Sequence, residues 1–182
     1  MEPNKGIEKV LVSEAELKEI CERLGKQISK DYEGKNLLLV SVLKGAIVFM
    51  ADLLKEITCD CKIDFMAVSS YSGTKTTGVV KFKKDLDENP DGQDILIVED
   101  ILDSGITLSY LRKVLADRNA RSIKVCALLD KPANRKAEIS ADYVGRVIPD
   151  EFVVGYGLDF NEHFRNLPYV GVLAKEFRGT EN

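Results

Sequence analysis

The chain carries 182 residues, 45% of them hydrophobic and 31% charged, with a formal net charge of −4. One domain of that length buries roughly 70% of the surface its unfolded chain exposes, so neither disulfides nor a structural metal are needed to stabilise it. The acidic balance argues against a general nucleic-acid binder, the start MEPNKGIEKV lacks an apolar leader core, and no later apolar run nears the ~20 residues of a membrane span.

A cytoplasmic protein with small-molecule partners, and with neither nucleic acid nor membrane, is therefore expected. In chain order, residues 13–32 begin with a capping box, Ser13 with Glu16, and continue with Leu17, Ile20, Leu24 and Ile28 at helical spacing. Residues 37–43 form an apolar run broken only by Ser41, which predicts a buried strand. Lys44-Gly45 then turns into an amphipathic pattern over 46–57. Further strands are predicted at 63–69, 95–98, 123–129 and 143–147, with a helix at 108–115 between two of them. Strands alternating with helices imply an α/β fold, a mainly parallel sheet flanked by helices. Residues 70–94 break this rhythm: YSGTKTTG and DENPDGQD surround a short strand-like VVKF, and so long an excursion suits a lid or a hairpin. Of the four cysteines, only Cys59 and Cys61 are close, and a C-x-C without a second pair falls short of a zinc site. Reduced thiols are expected.

The stretch 95–107, ILIVEDILDSGIT, holds the most chemistry. Four apolar residues deliver Glu99 and Asp100 to a strand's carboxyl end, where open α/β sheets keep their ligands. Asp103, Ser104, Gly105, Ile106 and Thr107 then open a helix, and such a turn presents backbone N–H groups and the positive end of a helix to an anion. Adjacent acids can also form a merely solvated loop, and Ser104 can be a plain helix cap. Lys44 and Lys131 both follow apolar strands, where a lysine meets a ligand or snorkels to solvent.

The pattern of apolar run, Glu-Asp, two apolar residues, Asp-Ser-Gly-x-Thr resembles the 5-phosphoribosyl diphosphate loop of the type I phosphoribosyltransferases. VLKGAIVFMADL at 42–53, SSYSGT at 69–74, LLDKP at 128–132 and IPDEFVVGYGLDFNEHFRNLPYVGVL at 148–173 extend the resemblance to the hypoxanthine-guanine branch over about residues 9–177. It implies one domain over 1–182. A core would span about 35–145, with a small hood from about 1–15 and 148–182 and a flexible lid at about 70–94.

The resemblance also implies transfer of a 5-phosphoribosyl group from 5-phosphoribosyl diphosphate to N9 of hypoxanthine or guanine, giving IMP or GMP and diphosphate in purine salvage. Glu99 and Asp100 would face the ribose hydroxyls and Mg²⁺, and Asp159 would help hold a second Mg²⁺. Asp103 would be the catalytic acid–base at N7, while residues 103 to 107 would hold the 5′-phosphate. Leu43, Lys44 and Gly45, with a non-proline cis peptide, and Arg165 would bind diphosphate. Lys131, Phe152 and Val153 would hold the base, Lys131 donating to a 6-oxo group and Phe152 stacking. Ser70 and Tyr71 would head the lid. Hypoxanthine, guanine and xanthine stay open, and a homodimer or homotetramer is expected. The rival readings are an RNA-binding regulator on the same fold, which should show a basic face, and an enzyme specific for another base.

Overall fold

Neighbouring residues of the central strands feed two separate cores, one on each side of a single sheet. Leu37 and Leu39 join one core with Leu96, Val98, Cys126 and Leu128. Leu38 and Val40 join the other with Ile95, Ile97, Val125 and Ala127. This is the period-2 alternation of a strand applied to a sequence apolar at every position, which is what a sheet covered on both faces demands. The computed structural model describes residues 6–70 and 80–179.

The order of elements is β1 (Ile7–Val12), α1 (Glu14–Asp31), β2 (Leu37–Leu43), α2 (Ile47–Glu56), β3 (Cys61–Ser70), β4 (Val80–Lys84), β5 (Asp94–Leu102), α3 (Ile106–Asp117), β6 (Ser122–Asp130), β7 (Tyr143–Val147), β8 (Val153–Val154) and β9 (Val170–Leu173). Six strands form the main sheet in the order β4-β3-β2-β5-β6-β7. Every pairing is parallel except β3 with β4. The chain builds outward from β2 through β3 and β4 and then resumes on the other side with β5. The strand order therefore reverses between β2 and β5, and a crevice opens at their carboxyl ends. Leu17, Leu24, Phe49 and Leu53 of α1 and α2 fill the first core, and Leu108, Leu111 and Leu115 of α3 fill the second.

The capping box is formed as its sequence predicts: Glu16 N–H donates to Ser13 Oγ at 3.3 Å and the Glu16 carboxylate accepts from Ser13 N–H at 2.8 Å. The two ends of the chain meet in a small antiparallel sheet of order β1-β9-β8. It sits apart from the main sheet.

Two sequence boundaries shift. The acid-bearing strand runs to Leu102 rather than stopping at Val98, because Glu99 and Ile101 keep their parallel pairing with Ala127 and Leu129 of β6. Within the segment 70–94 expected as a lid, residues 80–94 depart from a free loop. Val80 to Lys84 is an edge strand, and the buried Asp64 carboxylate accepts from Asp87 N–H at 2.7 Å and Glu88 N–H at 2.9 Å, tying the following turn to the sheet. At the opposite edge, Arg23 of α1 donates to the carbonyls of Val144 and Gly145 at 3.1 and 2.7 Å. No helix among the described residues is long and apolar enough to cross a membrane.

Candidate active site

Three strand ends supply the site. β2 ends in Leu43-Lys44-Gly45, and the Leu43–Lys44 peptide is cis. β5 carries Glu99 and Asp100 and runs into Asp103 and the 104–107 turn, while β6 ends beside Lys131. A cavity of about 290 Å³ opens at the ends of β2, β3 and β5, bounded by Leu43, Val68, Glu99, Asp103, Ser104 and Thr107. A larger cavity, about 700 Å³, lies behind the 156–168 segment against α1 and α2, and includes none of the strand-end acids. Glu99 and Asp103 line the smaller one.

The acid pair is tuned by burial. Asp100 is buried and accepts from Ile101 N–H at 2.7 Å, whereas Glu99 Oε2 is buried without a hydrogen-bond partner. Desolvation first, and then the neighbouring Asp100, hold the Glu99 carboxyl well above the usual carboxylate range. Asp100 is also pushed up by burial, opposed by Ile101 N–H, by Glu99 and more weakly by Arg165. A buried carboxyl beside a half-buried one whose inner oxygen is orphaned forms an oxygen donor set suited to a hard divalent cation. Mg²⁺ binds through one or two carboxylates completed by substrate oxygens and water. No group of three or more His, Cys, Asp or Glu able to hold a metal occurs among the described residues.

Backbone closeness joins this pair to the C-terminal turn. A Cβ on Gly45 would sit 1.7 Å from Asp100 Oδ2, and a Cβ on Gly157 would sit 2.0 Å from Gly45 O. Residues 45, 100 and 157 therefore touch with no room for a side chain. Just beyond, Arg165 Nη1 donates to Gly157 O at 2.8 Å and Nη2 pairs with Asp159 Oδ1 at 2.8 Å. Lys44 is exposed and pairs with Glu162 at 3.0 Å, and Glu162 also reaches Arg165. The two proposed diphosphate cations are thus gathered around one acidic turn. A dianionic ligand can displace its carboxylates.

The second cluster pairs Asp103 with Lys131. Lys131 is 8% exposed and its Nζ lies 3.0 Å from Asp103 Oδ2. Asp150, absent from the residues singled out in the sequence, approaches the same ammonium at 3.4 Å and accepts from Asn134 at 2.9 Å. The helix after Asp103 starts at Ile106 with Gly105 as its cap at φ 76°, so Ser104 is not the cap; its hydroxyl meets only Ile106 N–H at 3.5 Å. The first turn of α3 is therefore left without a side-chain cap, its N–H groups directed to the cavity mouth.

Phe152 is 38% exposed, with Phe160 edge-on at 5.7 Å and the Arg178 guanidinium 5.4 Å from its ring centre. Leu173 N–H donates to Phe152 O at 2.9 Å. By antiparallel alternation the backbone groups of Val153 then point away from β9, off the edge of the small sheet. Ser70 ends β3, but its side chain, like the whole of Tyr71, lies outside the described residues.

Arg135 is the larger omission of the sequence reading. Its Nε donates to Asp103 O at 2.8 Å, Nη1 to Ile139 O at 2.6 Å, and Nη2 to Leu102 O at 3.1 Å and to the Asp130 carboxylate. A faint signal existed: an arginine four residues past a strand-end lysine, in a segment otherwise rich in turn formers.

A family model described as a phosphoribosyl transferase domain matches residues 11–161. The hypoxanthine-guanine phosphoribosyltransferase of Lactococcus lactis is 54% identical over 174 residues, covering 95% of this chain and 94% of that one. Its counterpart from Bacillus subtilis is 55% identical over 168 residues, 92% and 93% of the two chains. The bifunctional TilS/HprT protein of Listeria monocytogenes is 56% identical over 171 residues, and the chain spans only 26% of that longer protein. A crystal structure of a hypoxanthine phosphoribosyltransferase from Staphylococcus aureus matches with a TM-score of 0.94 at 49% identity, covering 97% of each chain. Sequence, fold and strand-end geometry agree, and the chain belongs to the phosphoribosyltransferase family, on its hypoxanthine-guanine branch.

Proposed function

We propose that the protein transfers the 5-phosphoribosyl group of 5-phosphoribosyl diphosphate to N9 of hypoxanthine and guanine, with Mg²⁺, releasing diphosphate and forming IMP and GMP. The observation that carries this reading is the Asp103–Lys131 pair, held at 3.0 Å beside the phosphate turn. In the reaction, N9 of the purine attacks C1′, the C1′–O bond to diphosphate breaks, and the N7 proton passes to the Asp103 carboxylate. Lys131 donates to the 6-oxo group, which selects against the 6-amino group of adenine. Phe152 stacks on the purine, and Val153 meets its edge with the backbone groups that face away from β9.

Ser104 to Thr107 hold the 5′-phosphate, and Leu43, Lys44, Gly45 and Arg165 hold the diphosphate. Glu99 and Asp100 face the ribose hydroxyls and would hold their Mg²⁺, and Asp159 would help hold a second Mg²⁺ by the diphosphate. The cation would neutralise charge on the departing diphosphate. Burial of Asp100 and of the Glu99 Oε2 atom supports this role, because carboxylate oxygens removed from water gain most from a cation. Ser70 and Tyr71 would head a lid excluding water from the developing oxocarbenium charge. A cytoplasmic enzyme of one domain, assembled as a homodimer or homotetramer, completes the reading.

Initial rates with 5-phosphoribosyl diphosphate and Mg²⁺ against hypoxanthine, guanine, xanthine and adenine test it, in wild type and Asp103→Asn. Adenine as the best substrate would overturn the role of Lys131. Full activity in Asp103→Asn would overturn that of Asp103.

A further inference from the structure

We infer that Arg135 is a positioning residue that locks the acid–base carboxylate and the base-recognising lysine into register; the inference rests on the transferase reading above. One guanidinium ties together the ends of two neighbouring strands. On the β5 side it donates to the carbonyls of Leu102 and Asp103, and on the β6 side to the carboxylate of Asp130, the residue before Lys131. Its fourth bond, to Ile139 O, anchors it to the following segment.

The same segment grips the phosphate turn through its backbone. Lys136 N–H and Ala137 N–H both donate to Ser104 O, at 2.9 and 3.0 Å. Gly105, at φ 76°, has its Cβ direction closed by Ile139 at 2.5 Å and by the Arg135 stem at 3.1 Å. The backbone of residues 102–105 is therefore held by residues 135–139, beside the bond that Lys131 N–H donates to Leu102 O at 3.0 Å.

The geometry requires an arginine. Four acceptors are arranged around a planar fork with fixed donor directions, an array that the single ammonium of a lysine cannot satisfy. Asp103 Oδ1 is itself buried without a partner, so nothing else on that side chain fixes its rotation apart from Lys131. With the carbonyl of Asp103 released, its carboxylate and Lys131 lose their common frame.

The test is steady-state kinetics of the full chain with Mg²⁺, for Arg135→Ala, Arg135→Lys and a control, Arg118→Gln, which removes an equally bidentate arginine from the distant Asp85 pair. The expected result is a fall in kcat of about tenfold to a hundredfold in both Arg135 variants, the scale of a displacement of ~1 Å at a reacting group. The KM for 5-phosphoribosyl diphosphate should rise more than that for hypoxanthine, and added guanidinium ion should restore part of the rate of Arg135→Ala. Arg118→Gln should leave all constants unchanged. Should Arg135→Ala not fold, Arg135→Lys carries the test alone. A lowered melting temperature with unchanged kcat and KM in the folded Arg135→Lys variant would overturn the inference by showing a purely structural role. A wild type that transfers no phosphoribosyl group would instead overturn the reading beneath it.

Discussion

Replacing Lys131 with methionine removes one ammonium while preserving most of the side-chain volume in a site only 8% exposed. Water has little room to take its place, so the 6-oxo group of a bound purine loses its donor outright. A hydrogen bond involving a charged group is worth about 1.5–3 kcal/mol, which corresponds to roughly tenfold to a hundredfold in kcat/KM for hypoxanthine. Adenine offers a donor at the same position, so the variant should lose nothing with adenine. The ratio of the two specificities should fall by the whole factor. Folding should hardly notice: the partner carboxylates Asp103 and Asp150 are 41% and 57% exposed, and solvent screening limits such pairs to about 1 kcal/mol or less. Spectrophotometric rates with both purines, alongside a thermal melt, decide the matter. An unchanged hypoxanthine-to-adenine ratio in Lys131→Met would refute the reasoning, whatever the melt shows.

Gly157→Ala places a methyl group against Gly45 O at a residue with φ 99°, so strain and overpacking of about 1–3 kcal/mol each should lower the melting temperature by roughly 5 to 20 °C and raise the KM for 5-phosphoribosyl diphosphate. Wild-type melting with wild-type KM would show that the two loops are not in contact. Glu16, held down to about 2 by Ser13 N–H, the Ser13 hydroxyl and Arg146, has a folded pKa below its unfolded one. Its charge therefore stabilises the fold above the unfolded value near 4.5 and loses that effect as pH falls toward 2. The melting-temperature gap between wild type and Glu16→Gln should close over that window, and a constant gap from pH 7 to pH 2 would contradict the assignment. Chelation with EDTA should abolish transfer, with recovery on adding Mg²⁺; full activity in metal-free buffer would remove any role for a cation at Glu99 and Asp100.

The sequence exposed whatever depends on neighbours along the chain. The capping box at Ser13, the apolar strand 37–43 and the acids of ILIVEDILDSGIT are local patterns, and each lies where its pattern implied. The strand end at Leu102 escaped notice because Glu99 looks like a terminator, yet parallel pairing with β6 carries the backbone past it. Arg135 and Asp150 escaped for another reason: their partners are backbone carbonyls and a lysine gathered only by the fold. The contact among Gly45, Asp100 and Gly157 joins positions more than fifty residues apart. No local pattern encodes it.

The two borders of the main sheet also bear on how copies of the chain can meet. An open strand border offers unpaired backbone groups to any other strand, the usual start of uncontrolled aggregation. Here β4 ends in Lys83 and Lys84; Lys84 is neutralised by Asp64 and Asp87, and the exposed Lys83 places a charge against a strand arriving there. At β7 the Arg23 guanidinium lies on the carbonyls of Val144 and Gly145, one of which, by strand alternation, faces the open border. Growth of the sheet from one molecule into the next is opposed at both borders.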